Sequence, residues 1–160
     1  MNVYILDQLS NELVIAEITS AKEIKMPLKK DRWNFNWNKL VKDQNSETYL
    51  LRRAQNIEGL MHLKVENEMM FMDVLEIAPH NIGSQNKIFD FVAGCLIAFA
   101  CRESFKLTSE YKGFLTFVSK TKLIPWYSKK YGAEQALGQR MFINPQNGLK
   151  LIEEYLNRNR

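Results

Sequence analysis

Between Met69 and Ser104 the sequence changes period abruptly, and that change limits the folds open to it. The run Met69-Met70-Phe71-Met72-Asp73-Val74-Leu75-Glu76-Ile77-Ala78 reads as a strand. Pro79 stops it, because proline donates no N–H to a ladder. A polar turn over residues 80–87 follows, and residues 89–105 are apolar all round, as in a helix packed between a sheet and other elements. A strand that breaks at a proline and feeds a loop into a buried helix presents unpaired N–H groups and a partial positive charge. Such a junction suits an anion, above all a phosphate.

The remaining segments supply a sheet around the junction. Residues 3–6 read as a strand, and residues 13–18 as a second strand or a helix. Residues 20–28 space Ile24 and Leu28 for one or two helical turns before Pro27 intervenes. Residues 48–54 and 57–65 form a hairpin about Gln55-Asn56, and with the run from Met69 they make three successive antiparallel strands. Beyond the helix, residues 113–118 read as a core strand. Residues 122–131 read as a helix with Pro125 in its first turn and Gly132 as its stop. A last strand over residues 140–143, a turn over 144–148 and a short amphipathic helix over 149–156 complete the chain.

At 160 residues, 46% hydrophobic and 25% charged, a single domain over residues 1–160 is expected, and disorder, collagen and coiled coil are disfavoured. A net charge of +4 permits an anionic partner. The lysines are scattered, which favours a solvated surface over a nucleic-acid patch. Cys95 and Cys101 fall on different faces of one helix and read as reduced core residues of a cytosolic protein. The N-terminus lacks a signal-peptide pattern, and the longest apolar run is too short to span a bilayer. The expectation is a cytoplasmic protein with no membrane partner.

Several chemistries lack their residues. His62 and His80 are the only histidines and have no metal-ligand spacing around them. A nucleophile triad would need one of them beside a serine or cysteine, and no Gly-x-Ser-x-Gly elbow, Walker loop or Gly-x-Gly-x-x-Gly follows a strand. Between Lys29 and Asn38, Trp33, Phe35 and Trp37 alternate with asparagines. These aromatics either line an acceptor pocket, stacking while the amides hydrogen-bond, or cover the core. Glu76 is the carboxylate nearest the strand break and points opposite Leu75 and Ile77, as a general base would need to; Asp73 and His80 rank behind it. The alternative for Glu76 is a paired structural group.

The order meander, helix, strand, helix, strand, with Leu75-Glu76-Ile77-Ala78-Pro79, Val92-Ala93-Gly94-Cys95-Leu96 and Leu123-Ile124-Pro125-Trp126-Tyr127-Ser128-Lys129-Lys130-Tyr131-Gly132, resembles the GCN5-related N-acetyltransferase (GNAT) superfamily over residues 57–143. The resemblance implies an α/β fold with a mixed, mostly antiparallel central sheet flanked by helices. It implies an acyltransferase in which an amine, small-molecule or peptide, attacks acetyl-CoA directly in a ternary complex, and it is compatible with a homodimer. Ile77 and Ala78 would offer backbone to the pantetheine arm of coenzyme A. Asp90, Phe91, Val92, Ala93 and Gly94 would cradle its phosphates, and Tyr127 would protonate the leaving thiolate. The sequence departs from the family loop, in which arginine or glutamine, glycine, and glycine or alanine stand where this chain has Ile88, Phe91 and Ala93. A second register places Gly83 and Gln85 in the glycine positions. Lys120 stands where asparagine is common, and Gly132 lies one residue further from Tyr127 than usual. Phe91 favours the alternative of a fold that no longer catalyses and serves as a binding or regulatory module; Tyr127 favours the enzyme.

Overall fold

The computed structural model describes residues 1–83 and 85–158. Strands β1 (Asn2–Asp7), β2 (Glu12–Ser20), β3 (Glu47–Arg53), β4 (Asn56–Glu66) and β5 (Met69–Ile77) form an antiparallel meander. Strand β6 (Phe89–Asp90) pairs back onto β1, and helix α2 (Val92–Ser104) follows it; the four-residue helix α1 (Trp37–Leu40) precedes β3. Strands β7 (Leu115–Val118), β8 (Glu134–Gln135) and β9 (Arg140–Ile143), with helices α3 (Ile124–Tyr131) and α4 (Pro145–Leu151), complete the chain. Among the described residues the nine strands make one sheet in the order β6-β1-β2-β3-β4-β5-β7-β9-β8.

Period-two alternation gives the sheet two apolar faces. Met61 and Leu63 of β4 join Leu96, Ile97 and Tyr155 in the larger core under α2. Leu60, Ala78, Trp33 and Trp37 build a smaller core on the other face, covered by residues 21–41. Helix α2 crosses β4 closely: a Cβ on Gly59 would stand 2.9 Å from Leu96 and from Val92.

Strand β5 is paired with β4 over its whole length, but it pairs with β7, in parallel, only at Met70↔Leu115 and Phe71↔Thr116. Beyond Phe71 the two strands part, so the half of β5 that ends at Ile77 has one free edge.

Four expectations change in detail. Residues 20–28 form no helix; Glu23 has φ of +63° and Pro27 follows, so the segment runs irregularly across the smaller core. Phe89 and Asp90 are strand rather than helix, because β1 offers them an edge. Residues 144–148 are the start of α4, not a free turn: Asn144 caps it by accepting the Asn147 N–H at 2.8 Å, and Pro145 occupies the first position. Strand β8 carries no apolar alternation of its own and was not foreseen. Cys95 and Cys101 are free and buried, and burial pushes both thiols up to about 12, so neither is a thiolate at neutral pH.

Candidate active site

The free edge of β5, the loop after it and the start of α2 surround a cavity of about 250 Å³. Ile77 lies on one wall and Trp126, Lys130 and Tyr131 of α3 on the other; Val92, Ala93 and Gly94 close the end. Backbone direction alternates along a strand, and Ala78 donates its N–H to Glu58 O at 2.9 Å, so the polar backbone groups of Ile77 turn toward the cavity. Ala78 itself is spent, since its carbonyl accepts the Asn81 N–H at 2.8 Å. The expectation that Ala78 offers backbone to a ligand is therefore corrected. Asn81 also holds the base of the loop shut: its Oδ1 accepts the Phe89 N–H at 2.9 Å.

No side chain caps α2. The first intrahelical acceptor of this turn is Phe91 O, bonded by Cys95 N–H at 2.9 Å, so the N–H groups of Val92, Ala93 and Gly94 have no helical partner. Three cations surround them. Lys87 and Lys130 line the cavity, Lys87 reaching Asp90 Oδ1 at 3.4 Å. The Arg158 guanidinium lies 4.1 Å over the Phe91 ring, with its Nη1 buried and lacking a hydrogen-bond partner among the described residues. An uncapped helix start, two lysines and an orphaned buried guanidinium nitrogen are groups whose chemistry suits an anion. Asp90 has a different part from the expected phosphate contact: its Oδ1 accepts the Phe91 N–H at 2.8 Å and ties down the helix start.

Phe91 departs from the glycine pattern in side chain but not in backbone. Its φ is +74° and ψ is 2°, the left-handed region that glycine enters freely and that costs other residues about 1–2 kcal/mol. Its ring is held edge-on to Tyr155 at 6.2 Å and beneath Arg158. Gly94 serves packing: a Cβ there would stand 2.7 Å from Tyr155 Cδ1 and nearer still to Cε1 and Cζ.

Tyr127 sits on α3 with its ring 4.9 Å from Phe117, on the β7 side of the parting strands. Burial holds its pKa above the ordinary tyrosine value, so the hydroxyl keeps its proton at neutral pH. Among the described residues no hydrogen bond engages that hydroxyl.

Glu76 is not a free base. The residue is 6% exposed and its carboxylate accepts three hydrogen bonds: from Asn34 N–H to Oε2 at 2.6 Å, from Phe35 N–H to Oε1 at 3.2 Å, and from Trp37 Nε1 to Oε1 at 2.8 Å. It pins residues 34–37 onto the sheet. Trp33 and Trp37 are correspondingly core residues of the smaller cluster, Trp37 fully buried, and only Phe35, at 44% exposure, faces solvent. The pocket-lining expectation for Trp33 and Trp37 gives way to the core-covering one.

The structure brings Ile77, Phe91, Val92, Ala93 and Gly94 together and leaves Glu76, Trp33 and Trp37 on the opposite sheet face. It adds Lys87, Trp126, Lys130, Tyr131, Tyr155 and Arg158, which sequence reasoning did not single out. Three of these lie within a segment already read as a helix, where a period of about four residues places Trp126 and Lys130 side by side, a signal that was available.

This architecture occurs in solved structures. A chain of the AtaT–AtaR complex bound to DNA matches at a TM-score of 0.61 and 14% identity, over 87% of this chain and 99% of that one. The structure of a mutant AtaT toxin bound to the C-terminus of the antitoxin AtaR matches at 0.59 and 15%, over 86% and 95%. A putative streptothricin acetyltransferase from Bacillus anthracis in complex with acetyl coenzyme A matches at 0.50 and 12%, over 89% and 84%. No protein-family model and no curated protein sequence matches the chain. With identities this low the likeness is one of fold, and it agrees with the parted strands and the order of elements: the chain is an α/β protein with the fold of the GNAT acetyltransferases.

Proposed function

We propose that the protein is an N-acetyltransferase that transfers an acetyl or related acyl group from acetyl-CoA to an amine. The observation that carries this reading is the parting of β5 from β7 at a cavity closed by the uncapped, cation-flanked start of α2. The residues present fit coenzyme A: the N–H groups of Val92 to Gly94, with Lys87, Lys130 and Arg158, are suited to its phosphates, and the free backbone edge at Ile77 to its amide-bearing arm. When bound, acetyl-CoA supplies a thioester carbonyl open to attack by an amine. The chain's part is to hold that group still between two strands and exclude water, which can supply much of the rate by positioning alone. Tyr127 keeps a proton available on the β7 side for the departing sulfur. With Glu76 committed to three donors, positioning replaces a dedicated base.

Tyr127→Phe tests the acid. Turnover is expected to fall about a hundredfold with coenzyme A affinity unchanged, measured as kcat and as equilibrium Kd on the same preparation. An unchanged kcat would reject the role.

The acceptor has two readings. A small-molecule or peptide amine is the first. The second, an amine carried on a nucleic acid, is favoured by the stretch from Lys112 to Gly132, which holds five lysines, Lys112, Lys120, Lys122, Lys129 and Lys130, and no aspartate or glutamate. All five are exposed and they bracket the helix that carries Tyr127. Polyanion binding would weaken steeply and log-linearly with added salt, whereas a neutral acceptor would show a shallow response. A non-catalytic binding module, which Phe91 favours, predicts no transfer to any amine.

A further inference from the structure

We propose that Ser46, His62 and Asp73 form a second catalytic centre, a serine triad that hydrolyses small carboxylic esters and is separate from the cavity at α2. The sequence hides it, because the three residues lie on three different segments: Ser46 just before β3, His62 in β4 and Asp73 in β5. Antiparallel register assembles them. Thr48 stands opposite His62, and His62 opposite Val74, so Ser46 and Asp73 approach the same imidazole from its two sides.

The geometry is that of a nucleophile, a base and an orienting carboxylate. Ser46 Oγ lies 2.6 Å from His62 Nε2, and His62 Nδ1 lies 3.2 Å from Asp73 Oδ2. The histidine is 1% exposed, and Asp73 fixes the tautomer with its proton on Nδ1, which leaves the Nε2 lone pair facing the serine hydroxyl. Asp43 Oδ2 lies 3.9 Å from Nε2. Two competing contacts are weaker. Ser46 Oγ has a longer option to Asp43 O at 3.2 Å, and Asp73, its side chain 30% exposed, also sees Lys64 Nζ at 3.8 Å.

Two further observations point to a substrate. Among the described residues the backbone N–H groups of Gln44 and Ser46 have no hydrogen-bond partner, while that of Asn45 between them is taken by Asp43 Oδ1 at 3.0 Å. The nucleophile's own N–H is a usual member of an oxyanion hole. On the sheet face that carries His62, Ser46 borders a cavity of about 220 Å³ whose wall includes Val41, Asp43, Gln44 and Thr48, room for a small ester.

Ser46 Oγ attacks the ester carbonyl carbon as its proton passes to His62 Nε2. The bond to the alcohol oxygen breaks, the alcohol leaves with that proton, and the acyl group stays on Ser46. Water, losing a proton to the same imidazole, releases the carboxylic acid and restores the serine.

The full-length protein treated with a fluorophosphonate, which loses fluoride to a base-activated serine, is expected to carry the adduct on Ser46 in peptide mass mapping. Heat-denatured protein is expected to carry none. Hydrolysis of p-nitrophenyl butyrate is expected to fall at least about a hundredfold in Ser46→Ala and in Asp73→Asn, with thermal melts confirming that both variants fold. No adduct on Ser46 in the native protein, or an esterase rate in Ser46→Ala equal to that of the parent, overturns the proposal and leaves the three residues as a clasp that holds residues 41–46 on the sheet.

Discussion

Glu76→Ala is expected to destabilise the fold by about 3–6 kcal/mol, since it strands one buried and two half-buried donors at about 1–2 kcal/mol each. Those donors are Asn34 N–H, Phe35 N–H and Trp37 Nε1. Alanine removes the single carboxylate that satisfies all of them, and a cavity opens beside a fully buried tryptophan. A domain of this size has about 5–15 kcal/mol in all, so the variant is expected to unfold at a midpoint far below the parent's in urea or to accumulate poorly. Glu76→Gln separates structure from chemistry. It keeps the volume but turns an amide donor toward one of the three donors, which costs less than the alanine change. A structural Glu76 loses stability in this variant while kcat per folded molecule stays within a few-fold of the parent. A catalytic base would show the reverse, a large loss of kcat at an unchanged urea midpoint.

Gly94→Ala carries the second large effect, and its direction opposes helix propensity. Alanine in a helix interior is ordinarily worth about 1 kcal/mol over glycine. Here the added methyl would overlap three ring atoms of Tyr155. That ring cannot swing aside cheaply. It is buried between Phe91, at 6.2 Å, and Tyr131, at 6.4 Å, so relief requires the C-terminal segment to lift from α2. A net destabilisation of about 2–3 kcal/mol is expected, at the upper end for overpacked cores. Pairing the change with Tyr155→Leu is expected to cost less than the sum of the two single variants, because the smaller side chain makes room for the methyl. Additive costs would show that the contact between the two positions is not the cause.

How much of this was legible in the sequence depended on whether the signal was local. The break at Pro79, the change of period after it and the hairpin are properties of neighbouring residues, and the elements formed accordingly, although the hairpin turn falls on Ala54-Gln55, one residue before the expected Gln55-Asn56, with Ala54 at φ +53°. Gly94 was visible as an expensive residue in a helix, but its reason, Tyr155, lies far along the chain and no local rule connects them. Glu76 was misjudged for the same cause: alternation places its side chain on the face away from α2, but only the path of residues 21–41 shows that tryptophan and backbone donors arrive there to claim it. Those partners also decide between the two readings of the aromatic segment, since Trp37 cannot both cap a buried carboxylate and stack on a substrate.

Phe91 shows how a sequence pattern and its physical content separate. The glycine pattern encodes a backbone with positive φ and a close approach to a ligand. Phe91 meets the first requirement, at φ +74°, its ring held by Tyr155 and Arg158. The helix start keeps its geometry, and the ring projects toward the C-terminal segment that covers α2. The cationic neighbours were illegible because Lys87, Lys130 and Arg158 are scattered in sequence and converge only when loop, α3 and C-terminal segment meet around the helix start.

The proposed coenzyme A site is tested most directly by calorimetric titration of coenzyme A into the full-length protein, followed by a crystal soak. Saturable binding is expected, with a Kd on the order of micromolar, weakening as salt rises, and with the phosphates on the N–H groups of Val92 to Gly94. No heat of binding at millimolar coenzyme A, or density for the ligand away from the parted edge of β5, would contradict it.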